Sequence, residues 1–99
     1  MANVKIRVVK KITNKDLIEE YGNNVKPQCE MFKVGDEFIV KNGQIPVGFC
    51  SWAWPDIQRD VVVLANDGNF SSSKERGTTI ACCTDGYRPV VFRLERIKE

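Results

Sequence analysis

Histidine is absent from the 99 residues. That removes every Ser-His-Asp and Cys-His catalytic pair and every imidazole-ligated metal site. An excess of one charge is lacking too. Lys and Arg number 15 and Asp and Glu 13, a net charge of +2, too small to call for a nucleic-acid or anionic-lipid partner. No apolar run approaches the length of a membrane span. The opening Met1-Ala2-Asn3-Val4-Lys5-Ile6-Arg7 is broken by charge where a signal peptide would be continuous. The expectation is a cytoplasmic protein without membrane or nucleic-acid partners, whose cysteines stay reduced rather than forming a disulfide framework. A glycine-rich phosphate loop is missing, as is any carboxylate pair at helical metal-ligand spacing.

What is present is ordinary globular composition, 42% hydrophobic and 28% charged in 11.3 kDa, enough for a single domain over residues 1–99. Val4, Ile6 and Val8 alternate with Lys5 and Arg7, the period of a half-buried strand. Thr13 or Asn14 can cap a short helix whose apolar face is Leu17, Ile18 and Tyr21, with Gly22 suited to its C-terminal cap. Gly35-Asp36 reads as a turn, Glu37 to Val40 as a strand and Asn42-Gly43 as a second turn. Trp54, Ile57, Val61 and Leu64 fall on one helical face, and Pro55 is tolerated in a first turn. The polar stretch from Asn66 to Gly77 is the longest loop and the expected site of greatest mobility. Thr78 to Cys83 and the alternating Val90, Phe92 and Leu94 then predict two strands joined at an Asp85-Gly86 turn. The order β-α-β-α-β-β predicts an α+β fold: a mainly antiparallel sheet of about four strands carrying both helices on one face.

Three groups of residues could carry chemistry. Four thiolates suffice for tetrahedral zinc or an iron–sulfur cluster, which makes Cys29, Cys50, Cys82 and Cys83 the candidate ligands. Their spacing favours no cofactor. Metal knuckles supply Cys-x-x-Cys pairs, whereas adjacent cysteines on a strand point to opposite faces, and free cysteine commonly packs as a small hydrophobe. The second group, Cys50-Ser51-Trp52-Ala53-Trp54, places both tryptophans at one helix entry. Their spacing sends one towards the core and the other towards a pocket or interface. The third is Cys82-Cys83-Thr84-Asp85-Gly86-Tyr87-Arg88. Arg88 can grip a carboxylate or phosphate with two parallel hydrogen bonds, or pair with Asp85 and fix the loop. Lys5, Arg7, Lys10 and Lys11 read as a solvated basic strand face.

The strings Gly48-Phe49-Cys50-x-Trp52-Ala53-Trp54 and Cys82-Cys83-Thr84-Asp85-Gly86-x-Arg88-Pro89-Val90-x-Phe92-x-Leu94-Glu95-Arg96-Ile97 resemble a family of small uncharacterised prokaryotic proteins. So does Phe32-x-x-Gly35-Asp36-x-Phe38-Ile39-Val40. The resemblance covers nearly the whole chain. It implies that Cys29, Cys50, Cys82, Cys83, Trp52, Trp54, Asp85 and Arg88 stand at shared positions, and it brings no activity with it.

The leading expectation is a thiol and aromatic pocket in which the helix entry faces the hairpin. It would be built from Cys50, Trp52, Trp54, Cys82, Cys83, Asp85 and Arg88 and would bind a small anionic ligand or a soft metal ion. The rivals are a thiol-based redox or transfer enzyme using Cys50 or Cys82, and a homo-oligomeric structural or interaction protein with Trp52 at its interface.

Overall fold

The computed structural model describes residues 1–97. Six elements follow the expected order: β1 (Asn3–Lys11), α1 (Lys15–Tyr21), β2 (Glu37–Val40), α2 (Trp54–Ala65), β3 (Thr78–Cys82) and β4 (Val90–Ile97). The strands form one sheet in the order β2-β1-β4-β3, and every neighbouring pair is antiparallel. The fold is α+β.

Strand alternation sorts the side chains. Val4, Ile6 and Val8 of β1 and Val90, Phe92 and Leu94 of β4 are buried on the face that receives α2. Helix α2 answers with Ile57, Val61, Leu64 and Ala65. The three consecutive valines do not end the helix. Val61 turns inward while Val62 stays exposed, as a helix with one apolar stripe requires. Four phenylalanines complete the core: Phe32 meets Phe38, Phe49 and Phe92 at ring separations of 5.9, 5.2 and 5.2 Å, the distances of favourable edge and tilted pairs. The opposite face of the sheet carries charge. Lys5 lies between Glu37 (3.9 Å) and Glu95 (3.5 Å), and Arg93 meets Glu95 at 3.2 Å. The register shifts between Val8 and Lys10, a bulge that leaves Val9 exposed.

Three local expectations are met differently in the folded chain. Helix α1 buries none of its residues and receives no side-chain cap, so it does not share the sheet face with α2. Asn14, the residue at its cap, instead donates from Nδ2 to the Gly86 carbonyl at 2.6 Å. Gly22 ends α1 in extended backbone (φ −75°) rather than in a left-handed cap. A side chain there would still be excluded, because a Cβ would lie 2.7 Å from the Ile18 carbonyl oxygen. The β3–β4 connection is not a tight Asp85-Gly86 turn. The ladder ends at the Cys82–Val91 pair, the Cys83 N–H still reaches the Val90 carbonyl at 3.0 Å, and residues 84–89 then form a wider loop. The Asn42-Gly43 turn does form, with φ of 54° and 68° and the Gln44 N–H closing on the Lys41 carbonyl at 3.1 Å.

Loop 66–77 is tied at its base. Arg96 of β4 donates to the carbonyls of Leu64 (3.0 Å) and Gly68 (2.7 Å) and to Asn69 Oδ1 (3.1 Å). Asn69 Oδ1 also accepts the Gly77 N–H at 2.7 Å. Among the described residues, no helix is long and apolar enough to cross a membrane.

Candidate functional site

The helix entry, the loop after β3 and the segment before β2 enclose a groove of about 500 Å³. Each wall has an identifiable cause. Gly48, with φ of 81°, turns the chain so that Phe49 enters the core and Cys50 starts the approach to α2. The Cys50 carbonyl accepts the Trp54 N–H at 3.1 Å, and the next residues bend into the helix. Phe49 packs edge-on against Trp54 at 6.1 Å, which commits Trp54 to the core margin. Trp52, two residues earlier, is left 72% exposed and lines the groove. The two tryptophans thus separate as their spacing suggests.

The opposite wall is loop 84–89, held from both sides. Asp56 of α2 accepts the Thr84 N–H at 2.8 Å and its hydroxyl at 3.0 Å. On the far side the Asn14 N–H donates to the Tyr87 carbonyl (3.0 Å) and the Ile12 N–H to the Pro89 carbonyl (2.8 Å). Inside the loop, Asp85 Oδ1 accepts the N–H groups of Tyr87 (3.0 Å) and Arg88 (3.2 Å). Asp85 Oδ2 receives Arg88 Nε and Nη2, each at 3.3 Å. The second of the two roles open to Arg88 is therefore the one it fills: its planar fork is turned on Asp85 and braces the loop.

Three of the four thiols reach the groove: Cys29, Cys50 and Cys83. Cys83 is packed against the core and its sulfur accepts the Val90 N–H at 3.2 Å. Cys82, one residue earlier, is exposed and is absent from the groove lining, because strand parity sends adjacent side chains to opposite sides. Its thiol donates to the Cys83 carbonyl at 3.2 Å. Partial burial first, then the neighbouring Cys83 sulfur and the Asp56 carboxylate, push the Cys82 thiol above its ordinary value. That direction opposes thiolate formation and does not suit an activated nucleophile. The set Cys29, Cys50, Cys82 and Cys83 is not assembled as a metal centre. Among the described residues, no group of three or more Cys, Asp or Glu side chains is placed to hold an ion. Cys82 and Trp54 thus stand outside the groove, while Cys50, Cys83, Trp52, Asp85 and Arg88 line it.

Sequence reasoning missed Met31, Phe32 and Tyr87 as lining residues, and it grouped Cys29 with Cys50 only in the four-cysteine metal set, not in the thiol and aromatic pocket. Cys29 lies in a connection without periodicity, so no pattern marked its position. Lys11 is also more than a solvated strand charge: its ammonium donates to the Phe32 carbonyl at 2.8 Å, pinning the segment that carries Cys29 to the end of β1.

No protein-family model, curated protein or solved structure matches the chain. Function is therefore read from the groove itself.

Proposed function

We propose that this protein binds a small organic ligand with a planar, mostly apolar body and an anionic group, seated between Trp52 and the wall formed by Cys29, Cys50 and Cys83. One observation carries the reading: an exposed indole and three thiols from separate parts of the chain line one concavity of about 500 Å³, a size that suits a small ligand. Tryptophan offers a flat face for stacking. Cysteine offers soft, polarisable contact without the desolvation cost of a charge. The loop opposite is braced by its own Asp85–Arg88 pair and by Asp56, so the cleft is held open without a ligand to order it.

The test is fluorescence titration with 1-anilinonaphthalene-8-sulfonate, a planar anion. Saturable binding is expected in the parent protein. Trp52→Ala should weaken it about tenfold, in line with the loss of one stacking contact. Absence of binding in the parent overturns the reading. So does unchanged affinity in Trp52→Ala, or a parent dimer that Trp52→Ala converts to monomer, which assigns the indole to self-association.

A further inference from the structure

The thiol groove has a neighbour. A second concavity of about 570 Å³ shares Cys29 and Phe32 with it and is lined by Lys11, Lys26 and Lys33. Lys11 ends β1, while Lys26 and Lys33 come from the connection between α1 and β2, so the fold gathers cations that the sequence keeps apart. Among the described residues, Glu30 is the one acid lining this groove, and Lys26 takes it at 2.9 Å. Lys11 is fixed by the Phe32 carbonyl at 2.8 Å, which orients its ammonium without neutralising it. Asp36 turns its carboxylate to the backbone N–H of Lys33 at 2.9 Å. Among the described residues, neither Lys11 nor Lys33 forms an ion pair. Among the described residues, the one cation lining the thiol groove, Arg88, is already matched by Asp85. The aromatic surface and the uncompensated positive charge therefore lie in adjoining grooves, with Cys29 and Phe32 as the divide.

We infer that the ligand is a planar heteroaromatic ring bearing a phosphate on a flexible arm, a mononucleotide-like molecule. The ring lies against Trp52, and the arm crosses at Cys29 to set the phosphate between Lys11 and Lys33. This assignment rests on the groove reading above and adds the position of the anion and the need for a linker. An acid fixed rigidly to the ring can bind by stacking on Trp52, but it gains no charge partner in the thiol groove, where Arg88 is matched by Asp85. A phosphate on an arm reaches ammonium groups that attract it as point charges.

Flavin mononucleotide and riboflavin share one ring system and differ by the phosphate, so their affinities isolate its contribution. Titration followed by flavin fluorescence should show quenching against Trp52. Flavin mononucleotide should bind about tenfold more tightly than riboflavin, the scale of one charge-assisted contact. Lys33→Gln alters an exposed side chain and should bring the ratio close to one. Lys11→Gln is the second variant, with thermal unfolding as the check that the Cys29–Phe32 segment stays in place. Equal affinity of the two flavins in the parent overturns the inference. So does a ratio that survives both lysine substitutions, or one that is lost in Arg88→Gln alone. Failure of both flavins to bind also overturns it, while naphthalene-sulfonate binding decides the groove reading separately.

Discussion

Asp56 and Thr84 stand 28 residues apart and are joined twice, the Asp56 carboxylate accepting both the backbone N–H and the hydroxyl of Thr84 at 2.8 and 3.0 Å. This contact sets the first turn of α2 against the loop after β3, so it fixes the width of the groove. The carboxylate also sits at the positive end of α2, where negative charge is favoured. Asp56→Asn should lower stability by about 1 kcal/mol, because the bonds are solvent-accessible and one acceptor is weakened. The sharper expectation is local: hydrogen exchange at Thr84 should accelerate more than at Phe92. Uniform acceleration across β4 would show that the contact supports the whole fold rather than the groove wall.

Cys82 predicts a pH dependence. Its thiol is pushed above the ordinary value of 9.0 by burial, the Cys83 sulfur and Asp56, in that order. The folded chain therefore binds this proton more tightly than the unfolded chain. Its contribution to stability is fully present below pH 9.0 and is lost as pH rises from there through the raised folded value. Denaturation midpoints of parent and Cys82→Ser should diverge above pH 9, with the parent falling more steeply. At neutral pH, iodoacetamide should modify Cys82 more slowly than a free thiol of the same accessibility, since only the thiolate attacks.

Arg96 governs the polar loop. Its guanidinium serves two carbonyls and the Asn69 side chain, a division that an ammonium cannot reproduce. Arg96→Lys should speed tryptic cleavage after Lys74 or Arg76 several-fold. Cleavage should leave β3 and β4 together on one intact C-terminal fragment. First cuts between Ile80 and Leu94 would contradict the assignment of loop 66–77 as the segment that opens first.

The aromatic core joins sheet to groove. Phe92 is fully buried and packs on both Phe32 (5.2 Å) and Phe49 (5.5 Å), the residues behind the Cys29 and Cys50 walls. Phe92→Ala should cost about 3–5 kcal/mol in chemical denaturation, the range for a large aromatic truncation. Phe92→Leu should cost less and retain the fold. Equal losses for the two would mean that apolar volume without the ring recovers nothing, so that aromatic packing on Phe32 and Phe49 carries the whole contribution.

Much of the framework was legible because burial imposes a period. Val4-Ile6-Val8 and Val90-Phe92-Leu94 announce strands with one covered face, and Ile57-Val61-Leu64 announces the helix that covers them. The Cys82–Cys83 parity was legible for the same reason. The departures arise where a side chain serves a distant partner. Asn14 carries a strong local cap signal, yet its side chain reaches Gly86, 72 residues away; the Asp85–Arg88 pair, three residues apart, was by contrast one of the two readings open in the sequence. Leu17 and Tyr21 have helical spacing but face solvent, since spacing states which residues share a side and not whether anything covers it. Cys29, Met31 and Lys33 lie in an aperiodic connection, so only the folded chain brings them to the grooves.

The most direct test of the central claim is the mapping of N-ethylmaleimide adducts on each cysteine by mass spectrometry, with and without saturating 1-anilinonaphthalene-8-sulfonate. The groove lining predicts that ligand slows modification of Cys29, Cys50 and Cys83 together, while Cys82, outside the groove, reacts at an unchanged rate. Protection of Cys82 instead, or unaltered rates at all four thiols despite bound ligand, would contradict a binding site between Trp52 and the thiol wall.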